Sequence, residues 1–513
     1  MKVSDIVERI EGIDRVRGDG DPALETVSYD SRQLGRRPLF VALEGETTDG
    51  HRFVGEAVDA GARAVLVERD RASELEVDAP VLVADGTREV LGRVADAVYG
   101  EPSGELTVVG VTGTDGKTTT AHLLRDLLAS LGSRVGIVGT VANVWGDRRD
   151  SGPNTTPESA RLHELLAAMR DDGVEVAVIE VSSHALVTHR VEAVRFDCGI
   201  FTNLGRDHLE FHGDLASYRR AKKRLFNEYL SRGTGRGRAV LNRGSEVGRD
   251  WAAQLDEHSS IDVRTFAVDS AADVSVRIVE STLDGVTLKV NSGGDVYRTF
   301  LPLVGEFNAE NAAAAWAAAR TMGADDAAIA DALPNVEAPP GRLERVVAEV
   351  EDDSPSVFVD YAHTPDALDR VVTRLEHLSP GRLIVVFGCG GDRDEQKRPE
   401  MGRVVVESAQ IAVVTSDNPR SESPRAIVDD VLEGMGGAAG GAVTDEAAHA
   451  DVVVELDRGG AIEGAIAAAE PSDVVLIAGK GHEQYQEFAD RTVAFDDRER
   501  AKRALERRAD EAT

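Results

Sequence analysis

Apolar stretches alternate with amphipathic helical patterns along most of this chain, which predicts an α/β protein built on mostly parallel sheets. One apolar stretch, Leu106–Val111, is followed by leucines at helical spacing from Leu123 to Leu131. Similar stretches occur at Val174–Ile179 and Cys198–Thr202. Four more in the last third of the chain are Ser356–Val359, Leu383–Phe387, Ile411–Thr415 and Val474–Ala478. Because polar or glycine-rich segments follow several of these predicted strands, we expect ligand sites beyond their carboxyl ends.

Two breaks in this pattern predict three domains. A chain of 513 residues is too long for one hydrophobic core. The segment Glu101–Gly104 has the composition of a linker, and the paired prolines of Pro339–Gly341 end regular structure. We therefore expect domains at residues 1–103, 104–340 and 341–513.

Composition excludes several classes of protein. The net charge of −33 argues against a nucleic-acid partner, because phosphate contacts need a basic face. Cys198 and Cys389 are too few for a disulfide framework or a thiolate metal cage. The sequence has neither an apolar run of about 18 residues nor a basic-then-apolar N-terminal pattern. We therefore expect a cytoplasmic protein that does not associate with membranes.

Lysine is scarce, since only eight of the 58 basic residues are lysines. An acidic, lysine-poor surface suggests a high-salt cytoplasm, but a GC-rich genome explains the arginine bias nearly as well. The scarcity makes each retained lysine more informative, and Lys117, Lys222 and Lys480 all lie within motifs.

The strongest motif is a glycine loop between a predicted strand and a predicted helix. It consists of Gly113, Thr114, Asp115, Gly116, Lys117, Thr118, Thr119 and Thr120. Such a loop exposes backbone N–H groups to phosphate, and the helix N-terminus adds positive dipole. Lys117 would reach the β- and γ-phosphates, and the Thr118 hydroxyl would bind Mg²⁺. Val111 stands where the strict P-loop pattern has glycine, so ordinary NTPases fit less well than a narrower group of enzymes.

Three further residues in the middle block are candidates for metal or phosphate chemistry. Glu180 ends an apolar run downstream of the loop, where NTPases hold Mg²⁺, although it could also be a capping carboxylate. His208 follows the predicted strand Cys198–Thr202, and its spacing suits a ligand and a structural residue about equally. Read locally, Lys222 lies on the exposed basic face of a helix.

Three loops in the last block follow three predicted strands. They are Gly388–Arg393, Asp417–Arg420 and Gly479–Glu483. If these loops share one crevice, Arg393 and Arg420 suit carboxylates and Glu483 suits an ammonium group, so the ligand would be a small zwitterion. The alternative is that they are ordinary surface charges beside glycine turns.

The order of these motifs resembles that of the Mur ligases of the MurE type over nearly the whole chain. The matching motifs are GTDGKTTT (113–120), NTTP (154–157), EVSSHAL (180–186), FTNLGRDHLEFHG (201–213), AKKRLF (221–226), GEFNAENAAAA (305–315), GRLE (341–344), VDYAHTPDAL (359–368), GCGGDRD (388–394), DNPR (417–420) and AGKGHE (478–483). The resemblance implies an N-terminal domain for UDP, a central P-loop-type ATPase domain on a parallel sheet, and a Rossmann-like C-terminal domain.

The resemblance also implies a role for individual residues. At the uridine end these are Tyr29, Ser31, Glu46, Thr47 and Thr48. At the muramoyl-dipeptide they are Asn154, Thr155, Thr156, Ser182, Thr188 and Arg190. At the ATP nucleotide, besides the glycine loop, they are Asn308, Arg342 and Asp360. At the incoming amino acid they are Arg393, Asp417, Asn418, Pro419, Arg420, Gly479 and Glu483.

The implied catalytic group is Lys117, Glu180, His208 and Lys222. Thr118, Glu180, His208 and a carbamylated Lys222 are the implied ligands of Mg²⁺. Two positions depart from the family pattern: Asp115 replaces a frequent asparagine, and Thr188 replaces a frequent glutamine.

The implied reaction joins meso-2,6-diaminopimelate to UDP-N-acetylmuramoyl-L-alanyl-D-glutamate, using ATP and an acyl-phosphate intermediate, in a monomeric enzyme. Arg420 can bind the second carboxylate of diaminopimelate, which lysine lacks. Alternatives are the same ligase adding L-lysine, another amide ligase of the superfamily acting on a related cell-wall precursor or on folate, and a non-ligating P-loop protein.

Overall fold

The computed structural model describes residues 1–45, 48–152, 154–230, 235–257, 260–348, 354–436 and 450–512. The strands are β1 (Asp14–Arg17), β2 (Thr26–Ser28), β3 (Pro38–Val41), β4 (Ala64–Glu68), β5 (Val81–Ala84), β6 (Thr107–Thr112), β7 (Val135–Val138), β8 (Asn143–Trp145), β9 (Arg148–Asp150), β10 (Val176–Glu180), β11 (Cys198–Phe201), β12 (Gly237–Asn242), β13 (Ile261–Val268), β14 (Val274–Thr282), β15 (Gly285–Ser292), β16 (Asp295–Leu301), β17 (Glu344–Arg345), β18 (Ser356–Asp360), β19 (Leu383–Phe387), β20 (Ile411–Val414), β21 (Asp451–Val454), β22 (Val474–Ala478), β23 (Tyr485–Glu487) and β24 (Thr492–Ala494).

The helices are α1 (Val3–Arg9), α2 (Val54–Asp59), α3 (Thr87–Val98), α4 (Lys117–Ser130), α5 (Ser159–Asp171), α6 (Ser183–Val187), α7 (Leu209–His212), α8 (Leu215–Arg224), α9 (Glu246–Asp256), α10 (Phe307–Thr321), α11 (Asp326–Ala332), α12 (Pro365–Leu378), α13 (Lys397–Ser408), α14 (Pro424–Glu433), α15 (Arg458–Ala468) and α16 (Asp497–Ala512). A π-helical turn, Leu225–Tyr229, continues α8. Among the described residues, no helix is both long enough and apolar enough to cross a lipid bilayer.

The chain forms two compact units, which are described separately. The first unit is Met1–Arg277 with Val290–Tyr297 and Glu310–Ala332, and the second is Ile278–Lys289 with Arg298–Ala309 and Leu333–Thr513. The predicted α/β class is confirmed. The domain limits at residues 103/104 and 340/341 stay predictions.

The first sheet of the first unit has the order β1-β5-β4-β3-β2, with β2 to β5 parallel and β1 antiparallel. Successive residues of β3 face two separate cores: Leu39 and Val41 pack with α1 and α3, whereas Phe40 packs with α2. Such strands are buried on both faces, which explains why they are apolar throughout instead of alternating with polar residues.

A second sheet positions the glycine loop. Its order is β16-β15-β14-β13-β12-β11-β6-β10-β7-β8-β9. The neighbouring strands β13, β12, β11, β6, β10 and β7 are parallel, whereas β8 and β9 pair antiparallel. Glu180 at the end of β10 is level with Val111 of β6, and Phe201 at the end of β11 is level with Thr112. This register places the loops after three neighbouring strands side by side. The predicted strands at Leu106–Val111, Val174–Ile179 and Cys198–Thr202 are confirmed within one or two residues.

The main sheet of the second unit has the order β17-β18-β22-β19-β20-β21. Its strands are parallel except β17, which pairs antiparallel with β18. Residues of β18 alternate between two cores, since Phe358 packs on one face and Val357 and Val359 on the other. The strands β22, β19 and β20 are neighbours, so their following loops begin at the same edge of the sheet.

A buried ion pair ties this edge to two helices. Arg458, the first residue of α15, and Asp497, the first of α16, have fully buried side chains. The Arg458 Nε and Nη2 atoms each donate to the Asp497 carboxylate at 2.7 Å. The guanidinium also donates to the carbonyl oxygens of Ser416 at 3.3 Å and Ala478 at 3.0 Å. These carbonyls directly precede the loops after β20 and β22, so the Arg458 guanidinium holds the backbone at the start of both loops.

We expect Asp497→Ala to lower the free energy of unfolding by about 3–5 kcal/mol, because it leaves the Arg458 guanidinium buried without its counter-ion. Urea denaturation followed by circular dichroism measures this loss. The control is Glu407→Ala, which removes an ion pair between two exposed side chains, Glu407 (54% exposed) and Arg403 (56% exposed). This variant is expected to lose about 0.3–0.5 kcal/mol of the free energy of unfolding. Equal losses in the two variants would show that the buried pair contributes no more than a surface one.

Candidate functional site

The glycine loop between β6 and α4 has a backbone that other residues cannot adopt without strain. Gly116 has a φ of 79° and Gly113 a φ of 156°. A Cβ atom at Gly113 would overlap the Thr202 hydroxyl, and one at Gly116 would overlap the Asn311 amide oxygen. The two glycines therefore let the loop lie close against its neighbours, with the first N–H groups of α4 at its end. This is the geometry of an anion-binding loop.

Residues after β11 hold the loop in place. The Thr202 hydroxyl donates to the Asp115 carbonyl at 2.7 Å, and the Asp115 N–H donates to the Asn203 side chain at 2.9 Å. The Gly205 N–H donates to the Thr114 hydroxyl at 2.8 Å. Sequence reasoning assigned no role to Thr202, Asn203 or Gly205, although their place directly after a buried strand was a usable signal. The loop is therefore shaped in advance for its ligand.

Lys117 and Lys222 both donate to carbonyl oxygens of the loop. The Lys117 Nζ lies 3.0 Å from the Gly113 oxygen and 2.9 Å from the Thr114 oxygen. The Lys222 Nζ lies 2.7 Å from the same Gly113 oxygen and 4.3 Å from the centroid of the Tyr218 ring. Two ammonium groups thus converge on one short segment of backbone.

The prediction that Lys222 lies on an exposed basic face is wrong. Its side chain is 1% exposed. Tyr218, Ala221, Lys222 and Leu225 are all buried, at the i, i+3, i+4 and i+7 spacing of a core-facing helix stripe. That spacing was readable in the sequence, but the flanking arginines and Lys223 obscured it. Burial, together with the charge of Lys117, lowers the pKa of Lys222 well below its ordinary value.

Glu180 is fully buried and lies beside the first turn of α4. Its Oε2 accepts from the Thr118 hydroxyl at 2.8 Å and from the Thr140 hydroxyl at 3.0 Å, while its Oε1 accepts from the Thr140 N–H at 2.9 Å. The carboxylate therefore contacts the hydroxyl predicted to share a metal with it, and it also pairs with a backbone N–H, as the alternative interpretation required. Thr140 was not found from the sequence. These oxygen atoms are of the kind that Mg²⁺ prefers.

His208 lies in a cluster of aromatic side chains next to the loop. It adopts a left-handed φ of 53° before α7, and its side chain is 44% exposed. Its ring stands edge-on to His184 at 4.7 Å and lies 6.5 Å from the Tyr218 ring. The Tyr218 hydroxyl lies 3.2 Å from the Thr114 hydroxyl of the loop. Burial, with the charges of His208 and His212, lowers the pKa of His184 to about 4. Among the described residues no group of three or more His, Cys, Asp or Glu side chains has the arrangement of a metal site.

The residues expected at the muramoyl-dipeptide surround the end of β10. The Thr156 hydroxyl donates to the Glu180 carbonyl at 2.7 Å and accepts from the Ser182 N–H at 3.0 Å. The Arg190 Nη1 donates to the Thr156 carbonyl at 3.2 Å. The Thr155 and Thr140 hydroxyls are 3.0 Å apart, and Asn154 is exposed. The Thr188 hydroxyl is bound to the His184 carbonyl of its own helix at 2.8 Å.

The residues expected at the uridine end lie in segments that follow strands of the first sheet: Tyr29 and Ser31 come after β2, and Thr48 comes after β3. Tyr29 is 39% exposed, and partial burial followed by the charge of Glu158 raises its pKa. The Ser31 hydroxyl donates to Glu56 at 3.0 Å. Thr48 is exposed. Glu46 and Thr47 lie outside the described residues.

In the second unit, the residues expected at the nucleotide are largely buried. The Asn308 amide donates to the Val304 carbonyl at 2.8 Å. The Asp360 carboxylate accepts from the N–H groups of Leu343 at 2.6 Å and Ala362 at 2.8 Å, and burial raises its pKa. The Arg342 guanidinium lies 4.7 Å from the centroid of the Tyr361 ring. Such an arrangement presents an aromatic face and a cation beside each other.

The loops after β19, β20 and β22 contact one another. Arg420, with a left-handed φ of 51°, donates from Nη1 to the Gly391 carbonyl at 2.6 Å and from Nε to the Glu487 carboxylate at 3.2 Å. The Asn418 amide donates to the Glu483 carboxylate at 2.7 Å. Arg393 is exposed and donates to the Asp392 carbonyl of its own loop at 3.1 Å.

Further residues of these loops also have structural contacts. The Asp417 carboxylate accepts from the Asn418 N–H at 2.7 Å, and a Cβ at Gly479 would come within 2.7 Å of Asp417. The Pro419 carbonyl accepts from the Glu422 N–H at 3.0 Å. Sequence reasoning gave no role to Lys480, whose side chain is fully buried between the loops.

Known proteins resemble this chain over nearly its full length. It is 40% identical over 511 residues to the UDP-N-acetylmuramoyl-L-alanyl-D-glutamate--2,6-diaminopimelate ligase of Geobacillus thermodenitrificans, covering 99% of this chain and 100% of that protein. A protein of the same name from Gloeobacter violaceus is 41% identical, with 99% of both chains covered. A solved structure with that name is 31% identical with a TM-score of 0.65, covering 94% of this chain and 95% of the other.

Fold and glycine loop together define an ATP-dependent ligase of the α/β class. Three family models match the chain: the Mur ligase family catalytic domain at residues 24–99, the Mur ligase middle domain at 111–319, and the Mur ligase glutamate ligase domain at 341–481. The chain belongs to the Mur ligase family.

We expect Gly116→Ala to weaken ATP binding by about tenfold or more, because the new methyl group would push Asn311 or the loop out of position. Titration with a fluorescent ATP analogue measures the affinity. The control is Gly132→Ala at the other end of α4, where φ is 96° but nothing lies within 4 Å of the added Cβ. That variant is expected to lose about 1–2 kcal/mol of stability from backbone strain, with ATP affinity unchanged. Equal ATP affinities in the two variants would contradict the close-approach explanation.

Proposed function

We propose that this ligase adds meso-2,6-diaminopimelate to UDP-N-acetylmuramoyl-L-alanyl-D-glutamate, in the synthesis of a peptidoglycan precursor. The observation that carries the proposal is the Arg420 loop, where a guanidinium, an amide and a carboxylate meet at the edge of the second unit's sheet. This set suits an amino acid with an additional carboxylate. The shared motifs and the names of the full-length relatives support the same substrates.

The first chemical step is phosphoryl transfer from ATP. The carboxylate of the D-glutamyl residue attacks the γ-phosphate, which gives an acyl phosphate and ADP. Lys117 and the N–H groups at the start of α4 stabilise the charge on the transferring phosphoryl group. To do so, the Lys117 ammonium exchanges its contacts with the loop carbonyls for contacts with phosphate oxygens. Asn308, Arg342 and Asp360 contact the rest of the nucleotide.

The second step joins the amino acid. Its amine attacks the acyl carbon and phosphate leaves, with one proton released from the amine. The residues that hold the muramoyl-dipeptide beside Glu180 are Asn154, Thr155, Thr156, Ser182, Thr188 and Arg190. Tyr29, Ser31 and Thr48 contact the uridine end, and the same role is expected of Glu46 and Thr47.

Mg²⁺ would be held by Thr118 and Glu180, whose oxygens are already in contact, and by His208 and a carbamylated Lys222. When bound, the metal neutralises phosphate charge. The oxygen-rich surroundings of Glu180 fit a hard cation. A carbamate forms when the Lys222 amine adds CO₂ and releases a proton, and it would replace a cation by an anion next to the loop.

Arg393, Asn418, Arg420 and Glu483 recognise the incoming amino acid, with Asp417, Pro419 and Gly479 shaping the loops that carry them. Glu483 suits the ammonium group and the arginines suit the carboxylates. We further infer that the enzyme acts as a cytoplasmic monomer without nucleic-acid or membrane partners, in line with its net charge of −33.

We expect Arg420→Ala to reduce kcat/KM for diaminopimelate while kcat/KM for lysine changes little, since only diaminopimelate places a second carboxylate at this residue. Removing one partner of a desolvated charge pair costs about 2–5 kcal/mol, which corresponds to roughly 30- to several-thousand-fold. Because Arg420 already pairs with the half-exposed Glu487, we expect the lower end of that range.

The measurement is amino-acid-dependent phosphate release with UDP-muramoyl-dipeptide and either amino acid, run across salt concentrations. Arg425→Ala is the control, because Arg425 lies outside the loop, on α14, where it forms an exposed ion pair with Asp429 of the same helix. Equal turnover of wild-type enzyme with lysine would refute the proposed selectivity.

A second expectation concerns Lys222. Enzyme equilibrated with ¹³C-bicarbonate should show a carbamate ¹³C resonance that is absent from Lys222→Arg. The control is Lys223→Arg, which should retain the resonance, because the Lys223 ammonium contacts Gln254 instead of the loop. A spectrum without this resonance in the wild-type enzyme would contradict the carbamate.

A further inference from the structure

Lys480 is a charged side chain buried between two loops of the second unit. It follows Gly479 at the end of β22, and its side chain is 0% exposed. A buried ammonium group is tolerated only where acceptors surround it. Its Nζ lies 3.0 Å from the Asn418 Oδ1 and 3.0 Å from the Glu483 Oε2, with the Tyr485 ring at 5.4 Å. The ammonium therefore bridges the loop after β20 and the loop after β22.

The Lys480 ammonium fixes the orientation of the Asn418 amide. An ammonium group only donates hydrogen bonds, so the amide atom facing it must be the oxygen. The Glu487 N–H donates to the same Oδ1 at 3.0 Å. With its oxygen held by two donors, the Asn418 Nδ2 turns to the Glu483 Oε2 at 2.7 Å. Glu483 thus receives hydrogen bonds from both Lys480 and Asn418 on one oxygen, which fixes the position of its carboxyl group.

The same contacts reach Arg420 through β23. Glu487, whose N–H is bound to Asn418, accepts from the Arg420 N–H through its carbonyl at 3.0 Å and from the Arg420 Nε through its carboxylate at 3.2 Å. Arg420 is in the left-handed region, which a bulky residue adopts only when its surroundings hold it there. Lys480 is therefore connected to each of the three side chains assigned to acceptor recognition in these two loops.

We propose that Lys480 is a positioning residue for the amino-acid acceptor: it fixes the Asn418 amide and the Glu483 carboxylate, and through Glu487 it fixes Arg420, without contacting the substrate itself. This inference rests on the proposed function, because it specifies how that acceptor site is built. A neutral side chain of similar length would fill the same space, but it would remove one of the two donors that hold the Asn418 oxygen and leave Glu483 without its counter-ion.

The test compares Lys480→Met with Lys502→Met, which replaces an exposed lysine on α16. Two acceptors are used with UDP-muramoyl-dipeptide and ATP. One is diaminopimelate, which needs the acceptor site. The other is hydroxylamine, which attacks the acyl phosphate directly to give a hydroxamate and phosphate and needs none of these side chains.

For Lys480→Met we expect KM for diaminopimelate to rise about 10- to 100-fold, because small misplacement of recognition groups has effects of this size. Hydroxamate formation and KM for ATP should stay within about twofold of the wild type. Lys502→Met should match the wild type in all three. In addition, Asn418→Ala combined with Lys480→Met should be no worse than the more severe single variant, since the two residues act as one unit.

Unchanged KM for diaminopimelate in Lys480→Met would overturn the inference, and so would an equal loss of hydroxamate formation, which would mark a general structural role. The unfolding midpoint of each variant is measured in parallel. If Lys480→Met does not fold, Lys480→Gln, which keeps a hydrogen-bond donor, is compared in the same way. Absence of diaminopimelate-dependent turnover in the wild-type enzyme would instead refute the proposed function, and the inference with it.

Discussion

The loops of this enzyme depend on one constraint, which is that a buried cation must be hydrogen-bonded to acceptor atoms. At the carboxyl ends of parallel strands, backbone carbonyl oxygens that the sheet leaves unpaired can serve as these acceptors. Lys222 is buried against the Gly113 carbonyl after β6. Arg458 is buried against the carbonyls of Ser416 and Ala478 after β20 and β22. In each case the desolvated charge holds a loop in one conformation, because moving the loop would remove a carbonyl acceptor from the buried cation. The same edge of each sheet thereby becomes both the site of ligand loops and the place where they are fixed.

This constraint gives a physical meaning to the composition of the chain. Of eight lysines in a protein of net charge −33, Lys222 and Lys480 are almost completely buried. The bias against lysine comes either from high salt or from codon usage. Either cause acts mainly on exposed positions, because there one charged side chain can replace another at little cost in stability. At a buried position the compact ammonium group and the shape of its cavity leave no such freedom. At Lys222 and Lys480, burial therefore explains why lysine is retained, whereas it does not explain an exposed lysine such as Lys502.

Features set by local pattern were predictable from the sequence, and features set by distant partners were not. The strands β6, β10 and β11 and the contact between Thr118 and Glu180 follow from apolar runs and from the parallel order they imply. The burial of Lys222 was also readable from helical spacing. By contrast, the need for glycine at position 116 depends on Asn311, and the Asn418 amide depends on Lys480. The roles assigned to Lys222 as a carbamate and to the uridine-side residues came from resemblance alone, because no spacing rule connects those residues to their ligands.

The contacts of Arg420 change the argument about selectivity for the incoming amino acid. If Arg420 had no partner in the protein, lysine would be excluded because it would leave a buried guanidinium unpaired. The structure shows that Arg420 already has the Glu487 carboxylate and the Gly391 carbonyl as partners, so an acceptor without a second carboxylate leaves it satisfied. Discrimination between diaminopimelate and lysine must then come from the difference between two contacts at Arg420. The second carboxylate of diaminopimelate pairs with a guanidinium that is held in place. The side-chain ammonium group of lysine would instead lie next to a like charge and lose its hydration. Selectivity of this kind depends both on the charge of Arg420 and on how firmly its loop is held, and the positioning role proposed for Lys480 concerns the second of these.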